Sequence, residues 1–371
     1  MNFDFSDDQN QLRDAVQRWV EKAYTFERRK GIVAAGGFSR EVYGELAELG
    51  LCGLCVPDTH DGMGMGAIEA MVVMEQLGAG LVLEPLIQCL ISSAVLTQFA
   101  PAEVQAQWLP RIASGEALVV LAQQERGQRY QLERCASKAI SSPDKYAVTA
   151  TKNIVPAGDQ SAAYLVSALL DGQLALFLVE PTASGVGCRG YGTQDDSRAA
   201  DVTFENAPAT LLTRNGLAAL ELAADVGIAA ACAQGVGVMD KTLLITAEYL
   251  NTRKQFGVAV GSFQALRHRM ADMKMALELA RSMSYYASLK LGAPPEERRA
   301  ALARAKVQLG QSMRFVGQQA VQLHGGIGVT DEYIVSHYFK KLTQLEINFG
   351  DTLHHLGEVS ARMTETAGVF A

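Results

Sequence analysis

At 371 residues, 49% hydrophobic and 20% charged, the chain can bury two or three structural units and is too apolar for a disordered protein. Its formal net charge of -7, with no Lys/Arg run, argues against nucleic-acid binding and obliges an anionic ligand to find local positive charge or backbone donors. The acidic start, residues 1–8, lacks a basic segment followed by an apolar one, so a cytoplasmic protein is expected.

Residues 1–117 read as an N-terminal helical domain. Ser6 and Gln9 have the spacing of a capping box, and Leu12, Val16, Trp19 and Val20 follow at helical spacing. Phe38-Ser39-Arg40-Glu41 opens another helix, with Val42, Leu46 and Leu49 on one face and Gly50 as its stop. Residues 57–66 make a Gly-rich loop; its Gly62-x-Gly64-x-Gly66 neither follows a clear strand nor has dinucleotide spacing. Helices resume at Ala67, with breaks at Gly78-Ala-Gly80 and Pro101. The apolar stretches 78–96 and 217–238 hold Glu84 and Pro85, and Glu221 and Asp225, so both read as buried helices rather than membrane spans. Cys52-x-x-Cys55 has no second pair and no His at zinc-ligand spacing. The six scattered cysteines therefore read as buried free thiols.

Residues 118–212 read as a middle β-barrel-like domain. An apolar run at 118–122 and alternation at 146–150 come first. Segments 163–169 and 173–179 then flank Asp171-Gly172, a β-hairpin signal. Residues 185–192 are turn-rich, and 201–205 form another strand. From 213 to 371 the texture is helical again. Phe263, Leu266, Met270, Met273, Leu277 and Ala280 recur three and four apart, Gly292-Ala-Pro-Pro295 breaks the run, and Leu302 to Leu323 continue it. A short Pro/Gly turn between long helices makes an antiparallel pair, and the flanking helices complete a C-terminal four-helix bundle. The fold class expected is mostly α with a central β unit.

Two segments carry candidate chemistry. In Tyr249-Leu-Asn-Thr-Arg-Lys-Gln-Phe-Gly257, Arg253 reads either as a helix-end residue before a Gly cap or as a guanidinium for a diphosphate, with Phe256 against a ring system. In Gln322-Leu-His-Gly-Gly-Ile-Gly328, the glycines either end a helix or let a nucleotide approach backbone N–H groups. His354 and His355 are adjacent, so on a helix they face different ways, and no metal is expected.

With Gly261-Ser-Phe-Gln264 and Ala271-Asp-Met273, these segments resemble the acyl-CoA dehydrogenase family, in an α, β, α-bundle order that covers nearly the whole chain. The resemblance implies FAD, held by Arg253, Gln255, Phe256 and Gln264 across a subunit interface. It also implies adenosine contacts from Gln322, Leu323, His324, Gly325 and Gly326 to a neighbouring FAD. It further implies an acyl-CoA substrate, electron-transfer flavoprotein as acceptor and a tetramer, homomeric or shared with a sister subunit. Similarity to small subunits described as pimeloyl-CoA dehydrogenase-like implies an unusual acyl group.

The chain departs from that pattern where the chemistry is. The family's base position falls on Phe349 in Asn348-Phe-Gly-Asp-Thr352, and its alternative position falls on Gly227, with Asp225 as the nearest acid. The substrate Arg of the family is replaced at Ile228, and the β-domain flavin signatures read Ala122-Gln-Gln-Glu-Arg126 and Asn153-Ile-Val-Pro156. A phenyl ring takes no proton, and loss of a general base costs about a hundred- to ten-thousand-fold. Asp351 and Glu346 are the acids at hand. Asp351 is the preferred catalytic candidate; its plain alternative is an N-cap for the last helix. Three readings follow: an FAD-dependent acyl-CoA dehydrogenase forming an α,β double bond, a half-site subunit whose sister chain supplies the base, or a helical scaffold whose flavin motifs are only packing, which the joint occurrence of the motifs argues against.

Overall fold

The computed structural model describes residues 4–143 and 145–366. Helices α1 (Asp7–Ala23), α2 (Phe26–Ala34), α3 (Arg40–Glu48), α4 (Ala67–Ala79), α5 (Leu86–Phe99) and α6 (Ala102–Ala113) come first. Strands β1 (Val119–Ala122), β2 (Lys138–Ser142), β3 (Lys145–Pro156), β4 (Ala163–Leu170), β5 (Gln173–Val179), β6 (Val186–Gly192) and β7 (Arg198–Thr213) follow. The remainder is α7 (Gly216–Thr252), the short β8 (Lys254–Gln255) and β9 (Val258–Ala259), α8 (Gln264–Lys290), α9 (Pro295–His324), α10 (Ile334–Ile347) and α11 (Thr352–Thr366). By packing, the chain forms two compact units: residues 1–28, 67–82 and 228–371, and residues 29–66 and 83–227.

The first unit is helical. The capping box is made: Gln9 N donates to Ser6 Oγ at 3.2 Å and Ser6 N to Gln9 Oε1 at 2.9 Å, which satisfies two free donors at the start of α1. The expected apolar faces of α8 and α9 meet in the core. Met273, Leu277 and Ala280 pack with Leu302, Ala305, Leu309 and Met313, with Val236 and Met239 of α7 and with Tyr338 and Leu342 of α10. Gly78 and Gly237 set the crossing of α4 and α7. A Cβ on Gly78 would overlap Gln234 O, and one on Gly237 would overlap Glu75 O, so backbone meets backbone there. Helix α7 is long and apolar enough to cross a membrane, but 78% of its most apolar window is buried inside the protein.

The second unit holds strands β1 to β7. Turn residues Asp171 (φ 53) and Gly172 (φ 78) join β4 and β5 as the hairpin signal predicts. From β5 the ladder runs to β7, β3 and β2, and β2 returns to β4 through two parallel residue pairs, Lys138–Leu169 and Ala139–Leu170. Five strands thus close on themselves, with β1 and β6 outside the ring. The turn-rich reading of 185–192 is corrected: residues 186–192 pair with β7 along their whole length. The segment is a half-exposed edge strand without apolar alternation, and three of its seven residues are glycines, so its sequence hides its conformation. Ser39 caps α3 by accepting from Val42 N at 3.3 Å, and Gly50 follows with φ 78.

Candidate functional site

Helix α7 ends at Thr252, and the chain does not simply cap there. Lys254–Gln255 and Val258–Ala259 pair as a two-residue hairpin, with Phe256 (φ 53) and Gly257 (φ 80) in its turn. Periodicity arguments missed this hairpin because two-residue strands have no period; the Phe-Gly pair was the available signal. The turn holds the Phe256 side chain 90% exposed, edge-on to Phe263 at 6.2 Å. Arg253 is exposed and makes no ion pair with another described residue. Gln255 Nε2 turns back to Lys254 O at 2.8 Å, and Gln264 opens α8 in an exposed position.

Tyr249 and His324 join the ends of α7 and α9. Tyr249 stacks on His324 at 4.4 Å, and its hydroxyl donates to His324 O at 3.2 Å. His324 Nδ1 donates to Ala320 O at 2.8 Å, which leaves Nε2 as a buried acceptor without a partner. Burial lowers the His324 pKa more than the Ala320 bond raises it, so the ring is neutral. Gly325 has φ 64, and a Cβ on Gly325 or Gly326 would meet nothing within 4 Å. Gln322 is exposed, whereas Leu323 turns into the helical core. An unpaired cation, open backbone at two glycines and an exposed aromatic ring suit a planar, diphosphate-bearing dinucleotide such as FAD.

The turn between α10 and α11 holds the candidate acids. Phe349 (φ 57) and Gly350 (φ 111) are both left-handed. Asp351 Oδ1 accepts from His354 N at 2.8 Å, the bond of an N-cap. Glu346 is buried and accepts from Thr352 N at 3.0 Å, Thr352 Oγ1 at 2.6 Å and Arg314 Nη2 at 3.2 Å, so its carboxylate is committed to the turn. Beneath the turn, the wholly buried Lys306 ammonium donates to Leu345 O at 2.9 Å, Glu346 O at 2.7 Å and Gly350 O at 2.9 Å. His355 Nε2 donates to Phe349 O at 3.0 Å. Burial, then the Lys306 charge, push its pKa down to about 3, so it stays neutral. A Cβ on Gly350 would meet His355 Nε2 at 2.5 Å and His354 Cδ2 at 2.6 Å. Gly350→Ala is therefore expected to cost about 2–4 kcal/mol, from left-handed strain plus overpacking, read as a lowered urea midpoint. The other acid considered, Asp225, is buried within α7.

Barrel residues 122–126 and 153–156, where the resemblance leads one to expect flavin contacts, are tied internally. Glu125 pairs with the buried Lys152 at 2.6 Å. Asn153 N donates to Gln124 O at 2.8 Å, and Asn153 Nδ2 to Asp201 Oδ1 at 3.1 Å. The Glu125–Lys152 pair was missed in the sequence; its only signal was a lysine at an inward register position of an alternating strand. Among the described residues no group of three or more His, Cys, Asp or Glu is gathered as for a metal, and the six cysteines are free.

Comparison with known proteins converges on one family. Residues 6–116 match the model "Acyl-CoA dehydrogenase, N-terminal domain" and residues 214–364 match "Acyl-CoA dehydrogenase, C-terminal domain". The chain is 27% identical over 341 residues to acyl-CoA dehydrogenase FadE27 of Mycobacterium tuberculosis, covering 89% of each. It is 24% identical over 366 residues to the caffeyl-CoA reductase-Etf complex subunit CarC of Acetobacterium woodii, covering 91% of this chain and 93% of that one. Among solved structures it matches a variant of the Tcur3481-Tcur3483 steroid ACAD with TM-score 0.90 and 27% identity, over 98% of this chain and 99% of that one.

Proposed function

Because the chain belongs to the acyl-CoA dehydrogenase family, whose members are FAD-dependent oxidoreductases acting on CH–CH bonds, we propose that it holds FAD through Arg253 and the Gln322–Gly326 segment and serves α,β-dehydrogenation of an acyl-CoA thioester. The observation that carries the reading is the Tyr249–His324 contact, which keeps an unpaired guanidinium and an open Gly-Gly segment on neighbouring helix ends. Bound FAD would supply the hydride acceptor for the substrate β-carbon. This chain's own part begins with the diphosphate: Arg253 can give it paired, charge-assisted hydrogen bonds. Exposed Phe256 offers an apolar face for a ring or for a neighbouring subunit. The α-proton needs a carboxylate in a dry site, and Asp351 is the candidate here.

A second reading has a specific basis. Glu346 is committed to the turn, Phe349 stands at the usual base position, and Asp351 already caps α11. A half-site subunit, with the base on a sister chain, accommodates all three. Electron-transfer flavoprotein as acceptor and a homo- or heterotetramer belong to the same proposal. So does a division of the chain at 1–117, 118–212 and 213–371.

The test is flavin content. Purified with FAD supplied, the chain is expected to carry about one flavin, and Arg253→Ala to bind FAD about tenfold to a hundredfold more weakly. Undiminished flavin in Arg253→Ala would remove the diphosphate contact. A flavin-free wild-type chain would leave only the partner-subunit reading.

A further inference from the structure

The most unusual buried group in the helical unit is a lysine. Lys306 lies mid-helix in α9 and is wholly buried. Lysine is almost never fully buried unless its charge is compensated. Here the compensation is unusual in kind: three backbone carbonyls, Leu345 O, Glu346 O and Gly350 O, all within 2.7–2.9 Å. An ammonium has three N–H donors, so the three bonds exhaust them. Two of the carbonyls belong to the last turn of α10, where helix geometry leaves carbonyls without intrahelical partners. The third belongs to Gly350, the residue immediately before Asp351. One side chain therefore bolts the end of α10 to the start of α11 across a turn in which both Phe349 and Gly350 are left-handed.

Resting on the reading of this turn as the reaction centre, we propose that Lys306 is a positioning residue, whose three carbonyl bonds fix where the Asp351 carboxylate and the Phe349 ring stand. The surroundings agree. Burial pushes the Lys306 pKa down to about 8, held from falling further by the Glu346 and Asp351 carboxylates, so the ammonium with all three donors is the main form at neutral pH. Cys232, on α7, is buried and pushed up to about 12, so it presents a neutral thiol rather than a competing anion. Glu346 ties the turn from its other side through Thr352 N and Oγ1. His355 holds Phe349 O, so Lys306 and His355 grip consecutive carbonyls of the two left-handed residues. Left-handed non-glycine backbone persists only where its surroundings over-determine it, and the lysine is a large part of that surrounding.

The test uses the whole chain loaded with FAD, with Lys306→Met to remove every donor and Lys306→Gln to keep two neutral ones. Hydrogen exchange of peptides covering 345–356 reads the turn directly. The reporting amides are Asn348, Thr352, His354 and His355, bonded to Gln344 O, Glu346 Oε1, Asp351 Oδ1 and Asp351 O. In Lys306→Met these amides are expected to exchange about tenfold faster or more, with barrel peptides unchanged and Lys306→Gln in between. In stopped-flow flavin reduction, the maximal rate should fall about tenfold or more in Lys306→Met while half-saturation by acyl-CoA stays put, because a misplaced group loses reactivity before it loses binding. Wild-type exchange at 345–356 in either folded variant overturns the proposal. If Lys306→Met fails to fold, Lys306→Gln decides by the same two readouts. If the turn loosens but wild type itself reduces no flavin, the positioning role of Lys306 stands and Asp351 falls as the base.

Discussion

Asp351→Asn is expected to slow flavin reduction by acyl-CoA about a hundred- to ten-thousand-fold while FAD content stays the same. The choice of asparagine follows from the structure. Asp351 Oδ1 accepts from His354 N at 2.8 Å and so starts α11. Asparagine caps a helix about as well as aspartate, whereas alanine would remove about 1 kcal/mol of cap and confuse a structural loss with a chemical one. The neighbouring acid gives the control. Glu346 is engaged by Thr352 and Arg314, so Glu346→Gln should lower stability through the Arg314 contact yet leave reduction within a few-fold of wild type. Anaerobic bleaching of the flavin band after mixing with acyl-CoA measures both. Reduction by Asp351→Asn at the wild-type rate would move the base off this residue. A wild-type chain that binds FAD but is not bleached by any acyl-CoA would leave the half-site subunit as the surviving function.

How far the sequence carried can be traced residue by residue. Capping boxes, Gly stops and the Asp171-Gly172 hairpin are local, so Ser6, Gln9, Gly50 and the β4–β5 pair were legible before any packing was known. The long helices α8 and α9 were legible because many turns repeat one period. Edge strand β6 was not, since its side chains face solvent and impose no alternation. At the candidate site the sequence named Arg253 and the Gly-Gly segment, but not what joins them. The Tyr249–His324 stack pairs residues 75 positions apart, and nothing in either neighbourhood announces it. Lys306 was invisible for the same reason, and Lys152 was marked only by its inward register position in β3. Each looks like an ordinary surface lysine until the carbonyls or the carboxylate that receive it are brought in from elsewhere in the chain.

Lys152→Met is expected to destabilise the barrel by about 3–5 kcal/mol, because it strands a buried carboxylate. Glu125 Oε1 accepts from Lys152 Nζ at 2.6 Å, Ser137 Oγ at 2.6 Å, Ser137 N at 3.3 Å and Cys135 Sγ at 3.3 Å, and Oε2 accepts from Ala136 N at 2.7 Å. Burial would raise the carboxyl's pKa, but the hydrogen bonds from Lys152 and Ser137 and the Lys152 charge outweigh it and hold it at about 2. The two partners pull in opposite senses: burial lowers the Lys152 pKa despite the carboxylate beside it. Five donors converge on the carboxylate, whereas the ammonium makes three bonds, so the site stabilises the ionised carboxylate more completely than the ammonium. The carboxylate's folded pKa lies below the unfolded value of about 4.3, so its contribution is fully present above that pH and is lost as pH falls toward 2. The ammonium carries the opposite sign, a penalty at neutral pH that is relieved only as pH climbs toward its unfolded value. Replacing both groups removes the contribution and the penalty together. The double variant Glu125→Leu/Lys152→Met should therefore be more stable than either single variant, and unlike wild type it should lose little between pH 5 and pH 3. Urea midpoints followed by the fluorescence of Trp108, in a Trp19→Phe background, give the cycle. Costs that simply add would mean that the two side chains are close without being coupled, and that Ser137 and Ala136 alone hold the carboxylate in its ionised form.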